Sequence, residues 1–140
     1  MDRELLKKLL RDIEYSLDIA GGIVEMDLNS FLSDIRNIYT LRLAIIEVVE
    51  ASTSLGLHIL RELGERHFDG YIEVFRRLVE KGVISREIGQ NMMRLARLRN
   101  LIIHRYWVVD DTRIYDEARG NGLEAVKKFI EEVERYASGD

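Results

Sequence analysis

Arg99, His104 and Tyr106 place a guanidinium, an imidazole and a phenol within two helical turns, and Asn100 directly follows the arginine. Arginine stays protonated and can fork onto two phosphate oxygens, whereas imidazole exchanges protons near neutral pH. Those groups suit phosphodiester chemistry. The setting is an otherwise apolar helical pattern: after the cap Ser85, residues Ile88, Met92, Leu95, Ile102 and Tyr106 recur at spacings of three or four with one gap, which Arg99 fills. A charge on a packing seam is expensive unless it is paired or faces a cleft.

Helical geometry limits what one copy can do. At about 100° per residue, Arg99 and Tyr106 share a face, whereas His104 points about 140° away from Arg99. Either the helix distorts near Ile102-Ile103, or a second copy supplies the missing partner across a two-fold axis. The run Tyr106-Trp107-Val108-Val109 has weak helix propensity, which predicts a helix end just beyond His104. Purely structural roles also fit: a seam arginine paired with Glu47 or Glu50, a histidine capping a helix end, and a tyrosine filling the core.

The elements that must position these groups read as helices. Leu6, Leu9 or Leu10, Ile13, Leu17 and Ala20 predict an amphipathic helix over residues 4–26. Asp27-Leu28-Asn29-Ser30 supplies cap chemistry, and one long helix is expected from Phe31 to about Leu63, stopped by Gly64. A short helix spans 71–81 through Ile72, Phe75 and Leu78, ended by Gly82, and a last one runs from about Thr112 to Tyr136. Tyr39 and Arg42 fall on or near the seam of the long helix, where they can support the cleft or where Arg42 can pair with Glu47 or an aspartate.

Composition agrees with an all-α, up-and-down bundle of four or five helices in one domain over residues 1–140. Hydrophobic residues make up 46% and charged ones 33%, Pro and Cys are absent, and the net charge is -4. The lack of cysteine excludes a disulfide framework, a thiol nucleophile and a thiolate metal site. The longest uncharged apolar runs fall short of a membrane span, and Met1-Asp2-Arg3-Glu4 lacks a signal peptide's apolar core, so a cytoplasmic location is expected. An acidic body argues against nucleic-acid binding by the whole surface. Between Arg86 and Arg105, however, Arg86, Arg94, Arg97, Arg99 and Arg105 face a single acid, Glu87. His58 and His67 complete the histidines with no HxH or HExxH spacing, so neither metal nor cofactor is expected.

The pattern Arg99-Asn100, His104-Arg105-Tyr106 and Val109-Asp110 resembles the signature of the HepT-like toxins of the HEPN superfamily. Asp34 to Arg42 with Ile46-Glu47, continuing through Leu57 to Leu60, is similar to their second helix. Tyr71 to Phe75 with Leu78 and Gly82-Val83-Ile84 is similar to their short middle helix. The resemblance implies a homodimeric, metal-independent ribonuclease, the toxin of a type VII toxin-antitoxin pair. Arg99 and His104 are then catalytic, Asn100 supports them, and the two motifs meet in a shared cleft. It further implies that an MntA-like nucleotidyltransferase antitoxin transfers AMP to the Tyr106 hydroxyl. The alternative is a non-catalytic helical module that scaffolds a nucleotidyltransferase or binds nucleotide or RNA.

Overall fold

A computed structural model describes residues 2–105 and 107–139. Among the described residues seven α-helices follow in order: α1 (Arg3–Val24), α2 (Leu28–Leu32), α3 (Ile35–Glu62), α4 (Tyr71–Glu80), α5 (Arg86–His104), α6 (Asp111–Glu117) and α7 (Leu123–Ser138). Among the described residues there is no strand, so the expected all-α bundle is what forms.

Helix starts follow their caps. The carboxylate of Asp2 accepts the amides of Glu4 and Leu5, and the Ser85 hydroxyl accepts that of Ile88. The expected single helix from Phe31 to Leu63 is instead two, because Asp27 and Asp34 each cap a start. Asp27 takes the amide of Ser30, and Asp34, in extended backbone, takes that of Arg36. The expected last helix is also divided. A π-helical turn, Ala118–Gly122, joins α6 to α7, with Gly120 outside helical geometry. A Cβ on Gly122 would sit 2.7 Å from the Glu117 carbonyl oxygen, which restricts this turn to glycine.

The two longest helices, α1 and α3, lie along each other and bury Leu10, Ile13, Leu17 and Ala20 against Leu41, Ile45, Val48 and Leu55. Each fully buried aliphatic side chain contributes about 1.5–3 kcal/mol, more than any surface ion pair, so this seam fixes the frame. α4 is wedged between α3 and α5. Its Val74 and Leu78 press on Gly56 of α3, where a Cβ would meet both at 2.9 Å, and its Val79 presses on Gly89 of α5. α7 closes the far side, with Phe129 edge-on to Phe75. Tyr115 of α6 stacks near Phe31 and donates its hydroxyl to the Met26 carbonyl, which fastens α6 to the α1–α2 turn.

By length and composition α3 is apolar enough to cross a membrane, contrary to the sequence expectation that no stretch is. Yet 56% of its most apolar window is buried inside the protein, as the central helix of a bundle requires.

Candidate functional site

α5 carries the motif, and α3 and α4 hold its arginine. Ile88, Met92, Leu95, Leu98 and Ile102 bury one face of α5, which leaves Arg99 at the edge of the seam where three helices meet. Arg99 Nη1 donates to Asn100 Oδ1 at 3.0 Å and Nη2 to the Tyr71 hydroxyl at 3.4 Å. The guanidinium lies 4.3 Å from the centroid of the Tyr71 ring, and Nη2 is 3.8 Å from Glu50 Oε2 of α3. The cation is therefore paired, yet not saturated. Two of its five donors are used, its Nε is buried without an acceptor, and it remains free to take an anion.

Of the two carboxylates expected as partners, Glu50 fills the role. Glu47 turns to the α1 side, where it accepts the Ser16 hydroxyl at 3.0 Å. Tyr71 was not expected in the site. It lies 28 positions before Arg99 and opens α4, and no local pattern around it announces the contact. Asn100, expected to support the arginine, accepts its Nη1 hydrogen bond.

His104 is the last residue of α5 and is exposed, and it forms no contact with Arg99. α5 runs without a break through Ile102 and Ile103, so the distortion considered as one way of converging the groups is absent. Tyr106 lies outside the described residues. Beyond the motif, Arg42 Nε and Nη2 each reach a different oxygen of Asp111 at 2.8 Å. Hydrogen bonds to Asp111 hold the Arg42 guanidinium above its ordinary pKa, with burial opposing them. Of the expected partners for Arg42, an aspartate is the one used. This two-pronged pair fixes the start of α6 to α3, so the chain after His104 is anchored again at Asp111.

An exposed apolar line borders the site. Ile35, Tyr39 and Leu43 follow at four-residue steps on α3 with 62%, 60% and 55% of their surfaces open, and Glu50 lies seven positions further on the same face. Trp107 and Val108, after α5, are also open to solvent. The arginines Arg94 and Arg97 are exposed on α5. His58 lies on α3 with Nε2 3.5 Å from Glu62 Oε1, and His67 sits exposed in the loop before α4. No group of three or more His, Asp or Glu among the described residues could hold a metal ion.

The fold and sequence have relatives. Solved structures share the architecture: a tri-AMPylated Shewanella oneidensis HEPN toxin in complex with its MNT antitoxin superposes with a TM-score of 0.85 at 18% identity, covering 96% of this chain and 98% of that one. YutE of Bacillus subtilis, a cytosolic protein of unknown function, gives a TM-score of 0.83 at 18% identity over 99% and 92% of the two chains. A protein of Archaeoglobus fulgidus that carries a provisional ribonuclease name is 30% identical over 94 residues, 64% of this chain and 67% of its own. Residues 10–133 match the family described as Ribonuclease HepT-like, which takes in every helix that builds the site, and the chain belongs to that family.

Proposed function

We propose that this chain is a metal-independent ribonuclease, the toxin of a toxin-antitoxin pair, whose active cleft is built from two copies. The observation that carries this reading is the placement of Arg99 and His104 on one straight helix. The arginine is held between α3, α4 and α5 with donors to spare, the imidazole is exposed at the helix end, and helix geometry directs the two apart. A second copy resolves the divergence. The exposed line Ile35, Tyr39 and Leu43 gives it an apolar face to pack on beside the arginine, as a two-fold contact needs.

In such a cleft, His104 of one protomer removes the proton of the RNA 2'-hydroxyl. The 2'-oxygen bonds to phosphorus, the bond from phosphorus to the 5'-oxygen breaks, and His104 of the other protomer protonates that leaving oxygen. Arg99 neutralises the charge that grows on the non-bridging oxygens. The products are a 2',3'-cyclic phosphate and a 5'-hydroxyl. Neutralisation follows from an MntA-like nucleotidyltransferase that transfers AMP to Tyr106, seven positions from Arg99. A phosphodiester there adds bulk and negative charge against the RNA. The protein acts in the cytoplasm, where its RNA and antitoxin are found.

The decisive experiment incubates purified, unmodified protein with total cellular RNA in EDTA beside His104→Ala. Cleavage by the wild type alone, with a bell-shaped dependence on pH, is expected. A rate flat between pH 5 and 9 would exclude the acid-base pair, and binding without cleavage would favour a non-catalytic module. Tyr106→Phe should keep nuclease activity and escape the antitoxin in a co-expression growth assay; ordinary neutralisation of that variant would rule out Tyr106 as the modified residue.

A further inference from the structure

A cavity of about 460 Å³ lined in part by Tyr71 lies between the C-terminal half of α3 and the loop before α4, within the ~300–1,000 Å³ typical of small-ligand sites. Leu57, Arg61, Arg66, His67, Phe68 and Tyr71 line it together with Thr53, Gly70 and Val74. Of the five principal cavities among the described residues, this one alone has no acid in its lining. The others hold Asp116 and Glu117, Asp12 with Glu47 and Glu50, Glu134, or Glu132. Two aromatic rings, an apolar floor and three basic side chains are the ingredients of an unpaired-nucleotide site: bases stack on aromatic faces while arginines take the backbone phosphates.

The loop that forms its rim is built rather than loose. Arg77 reaches back from α4, donates to the Arg66 carbonyl at 3.1 Å and the His67 carbonyl at 2.9 Å, and lies over the Phe68 ring at 4.7 Å. Glu73 binds Arg77 at 3.0 Å and accepts the amide of Asp69. His67 is held at φ 64°, the only non-glycine residue with positive φ among those described. Arg61, in the last turn of α3, makes no ion pair among the described residues.

We infer that this cavity is a base-binding subsite for the RNA nucleotide next to the scissile phosphate, with Arg61 and His67 on its phosphate and Tyr71 as the wall shared with Arg99. Arg99 covers one face of the Tyr71 ring, so a base packed against the rest of that ring is separated from the guanidinium by the tyrosine alone. A phosphate attached to that nucleotide is then within reach of Arg99. The choice of RNA as occupant rests on the ribonuclease reading above.

The test uses His104→Ala protein, so that the probe stays intact, and compares fluorescein-labelled hexauridylate with free uridine 5'-monophosphate. Hexauridylate should move the amide resonances of Leu57, His67 and Val74. Arg61→Ala with His67→Gly should weaken its binding about tenfold, and Arg61→Ala alone should lower the slope of log affinity against log salt by about 0.7. Glycine tolerates the backbone of position 67, so the melting temperature of His67→Gly should not fall. Equal affinity of the double variant and its parent would overturn the subsite, and equal affinity for the monophosphate and the hexamer would overturn RNA as occupant. With His104 restored, the double variant should differ from wild type by a raised KM more than by a lowered kcat. If wild-type protein cleaves nothing while the double variant loses hexauridylate binding, the subsite stands and the ribonuclease reading falls.

Discussion

Replacing Glu50 by glutamine should strengthen RNA binding while slightly weakening the fold. Glu50 is the anion that Arg99 holds in the absence of RNA, at 3.8 Å, with the arginine side chain 16% and the glutamate 41% exposed. Coulomb attraction at that distance would reach about 4 kcal/mol in a medium of dielectric 20. Glu50 is two-fifths in water, however, and pairs so exposed measure about 0.2–1 kcal/mol, so about 0.5 kcal/mol is the better figure. That predicts a melting temperature about 1–2 °C lower for the variant. A substrate phosphate must displace or share this carboxylate, so removing its charge returns a similar free energy to binding, roughly a twofold lower KM. Initial rates on a labelled oligonucleotide at low salt, with a thermal melt in parallel, measure both quantities. A raised KM in a folded Glu50→Gln protein would refute the reasoning, because Glu50 would then be orienting Arg99 for phosphate rather than competing with it.

Two further outcomes follow. If each cleft needs His104 from both copies, wild type mixed with an equal amount of His104→Ala and allowed to exchange subunits should show about one quarter of the activity of the same total amount of wild type; about one half would mean independent sites. The second concerns acid. The amide of Asp69 first, and then Arg77, hold the Glu73 carboxyl below its ordinary value of 4.5. A depressed carboxylate contributes stability above the unfolded value and loses it as the pH falls through the lower folded one. Amide exchange at Asp69 should therefore be protected at pH 5 and above and speed up at pH values below about 4.5, beyond the ordinary pH dependence of exchange. Glu73→Gln should remove that pH-linked step.

Reactive groups were legible in the sequence where they broke a pattern. Arg99 stood out because it occupies an apolar position of α5, and the need to pair it pointed to Glu47 or Glu50, of which Glu50 is the partner. His104 was legible as a helix end for the same local reason, the poor helix formers that follow it. Long-range partners were not. Tyr71 reaches Arg99 because α4 is pressed between α3 and α5 at Gly56 and Gly89, a packing fact that no spacing within α4 encodes. The helix boundaries failed for a different reason. Asp27 and Asp34 are seven residues apart, so both fit the start of one apolar stripe, and only the extended backbone at Asp34 separates two helices. The break before α7 did have a signal, the run Gly120-Asn121-Gly122, which the continuing apolar period outweighed.

The chain between His104 and Asp111 is pinned at both ends, by the last turn of α5 and by the twin hydrogen bonds from Arg42 to Asp111. Its span is at most about 3.5 Å per residue. In the two-copy cleft proposed above, a substituent carried on this tether could not diffuse away, so it would meet Arg99 at an effective concentration in the millimolar range or above, whatever its concentration in the cell. Under the proposed modification, covalent attachment there would turn a weak anion, one that could not compete with RNA as a free molecule, into a persistent occupant of the arginine. Inhibition would then depend on the bond being intact and no longer on the amount of the modifying partner present.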